Sequence, residues 1–159
     1  MEEEKLWIYG IKLKKPLVKI IKVDYAGVEI EVFLTRYHKH AYEHVLRLNT
    51  KEYNGIICCS GDGIIHEVIN ALYHKNDGSI EHTIIGVIPG GSSNGFSKCI
   101  CDESIEKFTP ETCAYIIAKG QYKKIDIMEI ETKSSNKKIY AFLNLTYGLI
   151  SDVDLNSEV

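Results

Sequence analysis

Hydrophobic and polar positions follow two different periods along the middle of the chain. Residues 28–34 place apolar side chains at every second position, which predicts a strand. A wholly apolar run at 55–59 and a mostly apolar one at 83–88 predict two central parallel strands that are buried on both faces. Apolar residues at three- and four-residue spacing predict helices over about 38–48, 63–73, 92–100 and 110–119. This alternation predicts an α/β fold with a doubly wound, mostly parallel sheet.

The pattern changes after Gly120. Residues 123–132 and 138–146 are both strand-like, and Ser134–Lys137 between them predicts the turn of an antiparallel hairpin. We therefore expect a nucleotide-binding α/β domain over 1–120, followed by the start of a β-rich domain over 121–159.

The first 27 residues have a less regular pattern. Leu6–Leu13 is compatible with a strand, and Leu17–Tyr25 is compatible with a helix that has Pro16 in its first turn.

Composition narrows the class of protein. Hydrophobic residues make up 45% and charged residues 26% of the 159 residues, which is the balance of a globular protein. The net charge of −3 lacks the basic excess of a nucleic-acid-binding domain. No apolar stretch approaches the roughly 20 residues of a membrane span, and the acidic start is unlike a signal peptide. Five cysteines without a C-x-x-C pair indicate reduced thiols and a cytoplasmic protein.

Two glycine-rich turns follow the two apolar strands. They are Ser60–Gly63 and Pro89–Gly95, and each opens a predicted helix. Ligands of open α/β sheets bind beyond the carboxyl ends of the strands, and free amides at a helix start favour phosphate. Neither turn is a Walker A or a dinucleotide fingerprint. Two such turns on neighbouring strands favour a phosphate site over ordinary tight turns.

Asp62 is the unusual residue of the first turn. A carboxylate opposes the charge of a phosphate unless it holds Mg²⁺ or accepts a proton. Its presence therefore favours phosphoryl transfer over simple nucleotide binding. Alternatively, Asp62 caps the helix that follows it, or it does both.

The motifs together resemble those of the diacylglycerol kinase catalytic domain superfamily. Ser60–Asn70 resembles the family's glycine-aspartate-glycine motif, and its His-Glu-Val continuation is most similar to sphingosine kinases. Ile88–Asn94 resembles the second nucleotide loop, and Thr35 a threonine near the nucleotide. Leu145–Glu158 is similar to the segment that receives the lipid head group in sphingosine kinases.

The resemblance implies an ATP-dependent lipid kinase that uses Mg²⁺ to phosphorylate the primary hydroxyl of a sphingoid base. It implies that Asp62 deprotonates this hydroxyl and that Asp154, with Asp152, binds the cationic head group. It also implies peripheral contact with membranes, and leaves the metal ligands and the oligomeric state unassigned. The residues expected to bind the nucleotide are Thr35, Ser60, Gly61, Gly63, Glu67, Gly91, Ser92 and Asn94.

Three departures from the family pattern leave alternatives open. The first strand and its Asn-Pro glycine-rich loop are atypical or missing, Ser93 replaces a usual glycine, and the sequence stops before most of the lipid-binding domain. We therefore expect a fragment, a mis-predicted gene model or a degenerate paralogue, without kinase activity on its own. The alternatives are a non-catalytic nucleotide-binding or regulatory paralogue and a diacylglycerol- or ceramide-type kinase. His38, His40 and His44 lack a completing ligand, so no metal site is predicted from them.

Overall fold

The computed structural model describes residues 5–10, 29–132 and 135–144. Its main sheet has four parallel strands in the order β2-β1-β3-β4. The strand considered possible over Leu6–Leu13 is present at Lys5–Gly10, so the first strand of the family pattern is not missing. The segment proposed as a helix over Leu17–Tyr25 lies outside the described residues. The strands are β1 (Lys5–Gly10), β2 (Glu29–Leu34), β3 (Gly55–Ser60) and β4 (Ile84–Pro89).

Helices follow the strands in the predicted order. Their boundaries differ from the predicted ones by up to three residues. The helix expected over about 92–100 spans Gly95–Glu103, because Asn94 adopts a left-handed conformation (φ 53°) that ends the turn before it. The described α-helices are α1 (His40–Arg47), α2 (Asp62–Lys75), α3 (Ser79–His82), α4 (Gly95–Glu103) and α5 (Pro110–Ala118). The short helix α3 was not predicted.

The core covers both faces of β3, as the apolar run predicted. Ile57 and Cys59 form a cluster with residues of β4, α4 and α5. Ile56 and Cys58, which alternate with them and so point to the other face, are equally buried. Helix α2 packs against β3, and α1 packs against α2. The doubly wound α/β class is therefore confirmed.

Two strands are only partly buried, although β4 was predicted to be buried on both faces. In β2, Val32 and Leu34 lie on the apolar face from which the strand was predicted, and they are 45% and 62% exposed. In β4, only Val87 and Ile88 are buried, whereas Ile84 is exposed. Both strands form edges of the sheet among the described strands, so each lacks a neighbour on one side.

The chain forms two compact units, 1–124 and 125–159. The second unit contains the predicted antiparallel hairpin, formed by β5 (Met128–Thr132) and β6 (Ser135–Ala141). The turn was placed wrongly, at Ser134–Lys137. Thr132 pairs with Ser135, so residues 135–137 belong to β6 and only residues 133–134 connect the strands. The stretch 121–127, expected to be partly strand, has no regular structure.

Candidate functional site

The carboxyl ends of the parallel strands place the predicted turns at one edge of the sheet. Ser60 pairs with Pro89 at the ends of β3 and β4, so the two glycine-rich turns start side by side. Thr35 follows the last residue of β2 and is buried at the same edge. Strand β1 lies between β2 and β3, so the chain adds β2 on one side of β1 and then returns to add β3 and β4 on the other side. Such a switch point is where open α/β sheets form a ligand crevice.

The two glycine turns touch each other through their backbones. The amide of Gly90 donates to the carbonyl of Ser60 at 3.2 Å. A Cβ added to Gly91 would lie 2.4 Å from Cα and 2.7 Å from N of Gly61, whereas one added to Gly63 would meet no atom within 4 Å. Glycine at 91 is therefore required by the protein itself. Glycine at 63 is not required by the protein, because the space above the start of α2 is open.

Asn94 shapes the second turn from within. Its Oδ1 accepts hydrogen bonds from the amides of Gly90 (3.1 Å) and Gly91 (2.8 Å), and its Nδ2 donates to the carbonyl of Gly91 at 2.6 Å. The side chain is largely buried, whereas Ser92 at the tip of the turn is exposed. These contacts of Asn94 all go to the turn, so the residue fixes the path of the backbone that presents Ser92.

Asp62 caps a helix, but not the one that follows it. Its Oδ2 accepts the amide of Gly95 at 2.7 Å and its Oδ1 accepts the amide of Phe96 at 3.2 Å, both at the start of α4. The alternative that Asp62 caps its own helix is therefore wrong, because Asp62 is already the first residue of α2. A carboxylate offers about four lone-pair positions, so each oxygen can accept a further proton or hydrogen bond.

The start of α2 has no side-chain cap at its N-cap position. That position is Gly61, in an extended conformation, so no side chain of that residue can occupy the first amides of the helix. The free amides and the helix dipole together favour an anion there. With Asp62 turned towards α4, the backbone of this turn is the group best suited to receive a phosphate.

Glu67 contacts protein amides on the opposite side of α2. Its Oε1 accepts the amide of Lys39 at 2.8 Å, and its Oε2 accepts the amide of Tyr42 at 3.3 Å, both at the start of α1. The Nδ1 atom of His38 lies 3.7 Å from Oε1. The carboxylate is only 11% exposed. Glu67, expected to bind the nucleotide, thus lies beside the turn that carries Thr35.

The two histidines of α1 take part in aromatic packing. His40 stacks on Tyr37 at 4.2 Å between ring centroids, and His44 stacks on Phe33 at 3.8 Å. Burial, and to a smaller extent His40, lowers the pKa of His44. Within the described part of the chain there is no group of three or more His, Cys, Asp or Glu side chains suited to a metal ion.

Asp152 and Asp154, with the rest of the segment that resembles a head-group site, lie outside the described residues. In the ranges that the structure describes, no helix is long and apolar enough to cross a membrane.

Comparison with known proteins identifies the class to which this fold and site belong. Residues 13–130 match the diacylglycerol kinase catalytic domain family. The chain belongs to this family.

Individual relatives are more specific. The chain is 34% identical to sphingosine kinase 2 of Arabidopsis thaliana over 93% of its own length and 30% of that protein. It is 38% identical to sphingoid long chain base kinase 4 of Schizosaccharomyces pombe over 80% of its length and 27% of that protein. The resemblance to sphingosine kinases is thereby confirmed, and the chain spans less than a third of these relatives.

A solved structure supports the fold. A putative diacylglycerol kinase from Bacillus anthracis superimposes with a TM-score of 0.62 at 21% identity, covering 79% of this chain and 45% of the other.

Proposed function

We propose that this chain is the nucleotide-binding part of an ATP-dependent lipid kinase that phosphorylates the primary hydroxyl of a sphingoid base. The observation that carries the proposal is the pair of touching glycine turns on β3 and β4, with Asp62 at the start of α2. The names of the sequence relatives support the sphingoid base as the acceptor. We also propose a cytoplasmic location with peripheral contact at membranes, where such a lipid resides.

The residues divide into two groups in this proposal. The amides of Gly61 and Gly63 bind phosphate oxygens at the start of α2, and Ser92 donates from the opposite turn. Thr35 and Ser60 complete the wall of the site at the strand ends, with Gly91 and Asn94 shaping the second turn. Because phosphoryl transfer needs its two substrates held in line, the rigid contact between the turns is the useful property of this arrangement.

Asp62 accepts the proton of the acceptor hydroxyl. Its two oxygens are fixed by the amides of Gly95 and Phe96, so the carboxylate cannot rotate freely, yet each oxygen can still accept a proton. A fixed carboxylate within hydrogen-bond reach of the hydroxyl is the geometry that a general base requires. Asp152 and Asp154 pair with the ammonium group of the sphingoid base in this proposal.

Mg²⁺ fits the donor set through the nucleotide. Mg²⁺ usually keeps several waters and is bound through substrate phosphates with one or two carboxylates, so the ion would be held mainly by the nucleotide while Asp62 stays the proton acceptor. In that position the ion would neutralise charge on the phosphates. The protein residues would orient the nucleotide and the hydroxyl.

Calorimetric titration with ATP and Mg²⁺ tests nucleotide binding, and labelled ATP with sphingosine, diacylglycerol or ceramide tests transfer and the acceptor. We expect saturable ATP binding, and in an active form a labelled product with sphingosine that Asp62→Asn abolishes. Binding without transfer to any lipid would favour the non-catalytic paralogue, and transfer to diacylglycerol alone would favour that class of kinase. Absence of ATP binding would refute the proposal.

A further inference from the structure

Helix α2 holds α1 at both of its ends. At the first end, the carboxylate of Glu67 accepts the amides of Lys39 and Tyr42. At the other end, Nζ of Lys75 donates to the carbonyls of Leu46 (3.3 Å) and Leu48 (3.0 Å). Glu67 and Lys75 are eight residues apart, about 12 Å along a helix, which is also the length of the eight-residue α1. The two contacts therefore match opposite charges to the two ends of one helix dipole.

Glu67 takes over a task that α1 cannot perform for itself. The N-cap residue is Lys39, which makes no side-chain cap bond and has a left-handed backbone (φ 66°). A capping box satisfies the N-cap amide and the third amide of the helix. These are the amides of Lys39 and Tyr42, and Glu67 binds both from another helix. The start of α1, and the turn leading into it, therefore depend on one side chain 25 to 28 residues away.

The turn that Glu67 holds is the one that carries Thr35. It spans residues 35–39 between β2 and α1, and Thr35 is buried at the edge of the sheet. Inside the turn, the amide of Arg36 donates to Nδ1 of His40 at 3.1 Å, and the amide of His40 donates to the carbonyl of Tyr37 at 3.2 Å. Loss of the Glu67 contacts would release Lys39 and so loosen the turn at its helical end.

We propose that Glu67 is a positioning residue, which sets nucleotide affinity by holding the 35–39 turn and hence Thr35, and not by binding the nucleotide itself. This inference rests on the proposed function, in which Thr35 contacts the nucleotide. The low exposure of the Glu67 carboxylate supports it, and so do its contacts with two amides at the start of α1.

The test is a double-mutant cycle on ATP binding, with Thr35→Val, Glu67→Gln and the double variant. Losing one neutral hydrogen bond to the nucleotide weakens affinity by about 2- to 10-fold, and we expect this for each single variant. If Glu67 acts through Thr35, the double variant binds no more weakly than Thr35→Val alone. A double variant whose loss of ATP affinity equals the product of the two single losses would overturn the proposal. Such a result would mean that Glu67 acts on the nucleotide independently of Thr35.

Lys75→Met is the matched control, because it removes the contact at the other end of α1 and keeps a side chain of similar length. We expect it to lower the melting temperature about as much as Glu67→Gln but to leave ATP affinity within about twofold. Equal weakening of ATP binding by Lys75→Met and Glu67→Gln would overturn the proposal, because general loosening of α1 would then explain both.

Amide hydrogen exchange separates failure of this inference from failure of the proposed function. Glu67→Gln should raise exchange at Lys39 and Tyr42 and leave Gly95 and Phe96, capped by Asp62, unchanged. If the wild-type protein binds no ATP, the proposed function fails, and exchange alone decides whether Glu67 holds the turn. Unchanged exchange at Lys39 and Tyr42 would overturn the inference whatever the ATP result.

Discussion

Replacing Gly63 by alanine tests whether the phosphates cross the start of α2. Gly63 is the second residue of this helix, and a Cβ there would meet no protein atom within 4 Å. Alanine is about 0.5–1 kcal/mol more favourable than glycine within a helix, so the variant should be slightly more stable. The same Cβ would stand where a phosphate approaches the amides. Losing one charge-assisted hydrogen bond of about 1.5–3 kcal/mol would weaken ATP binding by roughly 10- to 150-fold.

The opposite signs of these two effects make the experiment decisive, because a damaged fold cannot raise stability. Thermal unfolding and calorimetric titration with ATP should be measured on the same preparation. Two other glycines serve as controls. Gly91→Ala should lower both stability and ATP affinity, since its Cβ would meet the backbone of Gly61. Gly86→Ala should leave ATP affinity unchanged whatever its effect on stability, since its Cβ would meet the Ile117 side chain at 3.1 Å and not the backbone of either turn. A Gly63→Ala protein that is stable and binds ATP as tightly as wild type would refute the phosphate position.

Three further outcomes are expected. Asp62→Asn in an active form should reduce phosphoryl transfer by about 10²- to 10⁴-fold. It should also lower the free energy of unfolding by about 0.5–2 kcal/mol, because an amide nitrogen would face an α4 amide. Activity above a tenth of wild type would exclude Asp62 as the base. Ile105→Gly should raise the free energy of unfolding by about 0.5–1 kcal/mol. Ile105 is a β-branched residue, 94% exposed, in a left-handed conformation (φ 56°) after α4, which glycine adopts without strain. A lower denaturant midpoint of unfolding would contradict this. A thiol reagent should modify Cys99 at once, because Cys99 is the exposed thiol among the five cysteines. The buried thiols should react slowly, since burial raises the pKa of Cys113 to about 12 and raises that of Cys58 as well. Rapid reaction of a second thiol in the native protein would contradict this. The thiols expected to react only after unfolding are Cys58, Cys59, Cys101 and Cys113.

The order of strands and helices was predictable because each element carries its own period. The run Gly55–Cys59 indicated a strand buried on both faces, and every residue of β3 is buried. The same reasoning overestimated the burial of Ile84. An apolar run shows that a strand can be buried, but the position of the strand in the sheet decides whether both faces are covered.

The glycine turns were predictable for the same local reason, whereas the helix-capping contacts of the two α2 carboxylates were not. Asp62 and Gly95 are 33 residues apart, and the sequence offers only the nearest helix as a candidate for capping. Glu67 was expected at the nucleotide through its motif, and its contacts with the amides of α1 appear only when the helices are packed. Capping between helices depends on tertiary structure and leaves no local spacing signal.

The spacing between Asp62 and Glu67 restricts which changes of length this chain can accept. Five residues turn a helix by about 500°, so the two carboxylates leave α2 about 140° apart, one towards α4 and one towards α1. One inserted residue between them would rotate Glu67 by a further 100° or so relative to Asp62, and no side-chain rotamer would restore both contacts. An insertion at Asp77 or Gly78, after the end of α2, would leave the angle unchanged. Length variation among proteins built on this plan should therefore accumulate after α2 and be excluded from its first two turns.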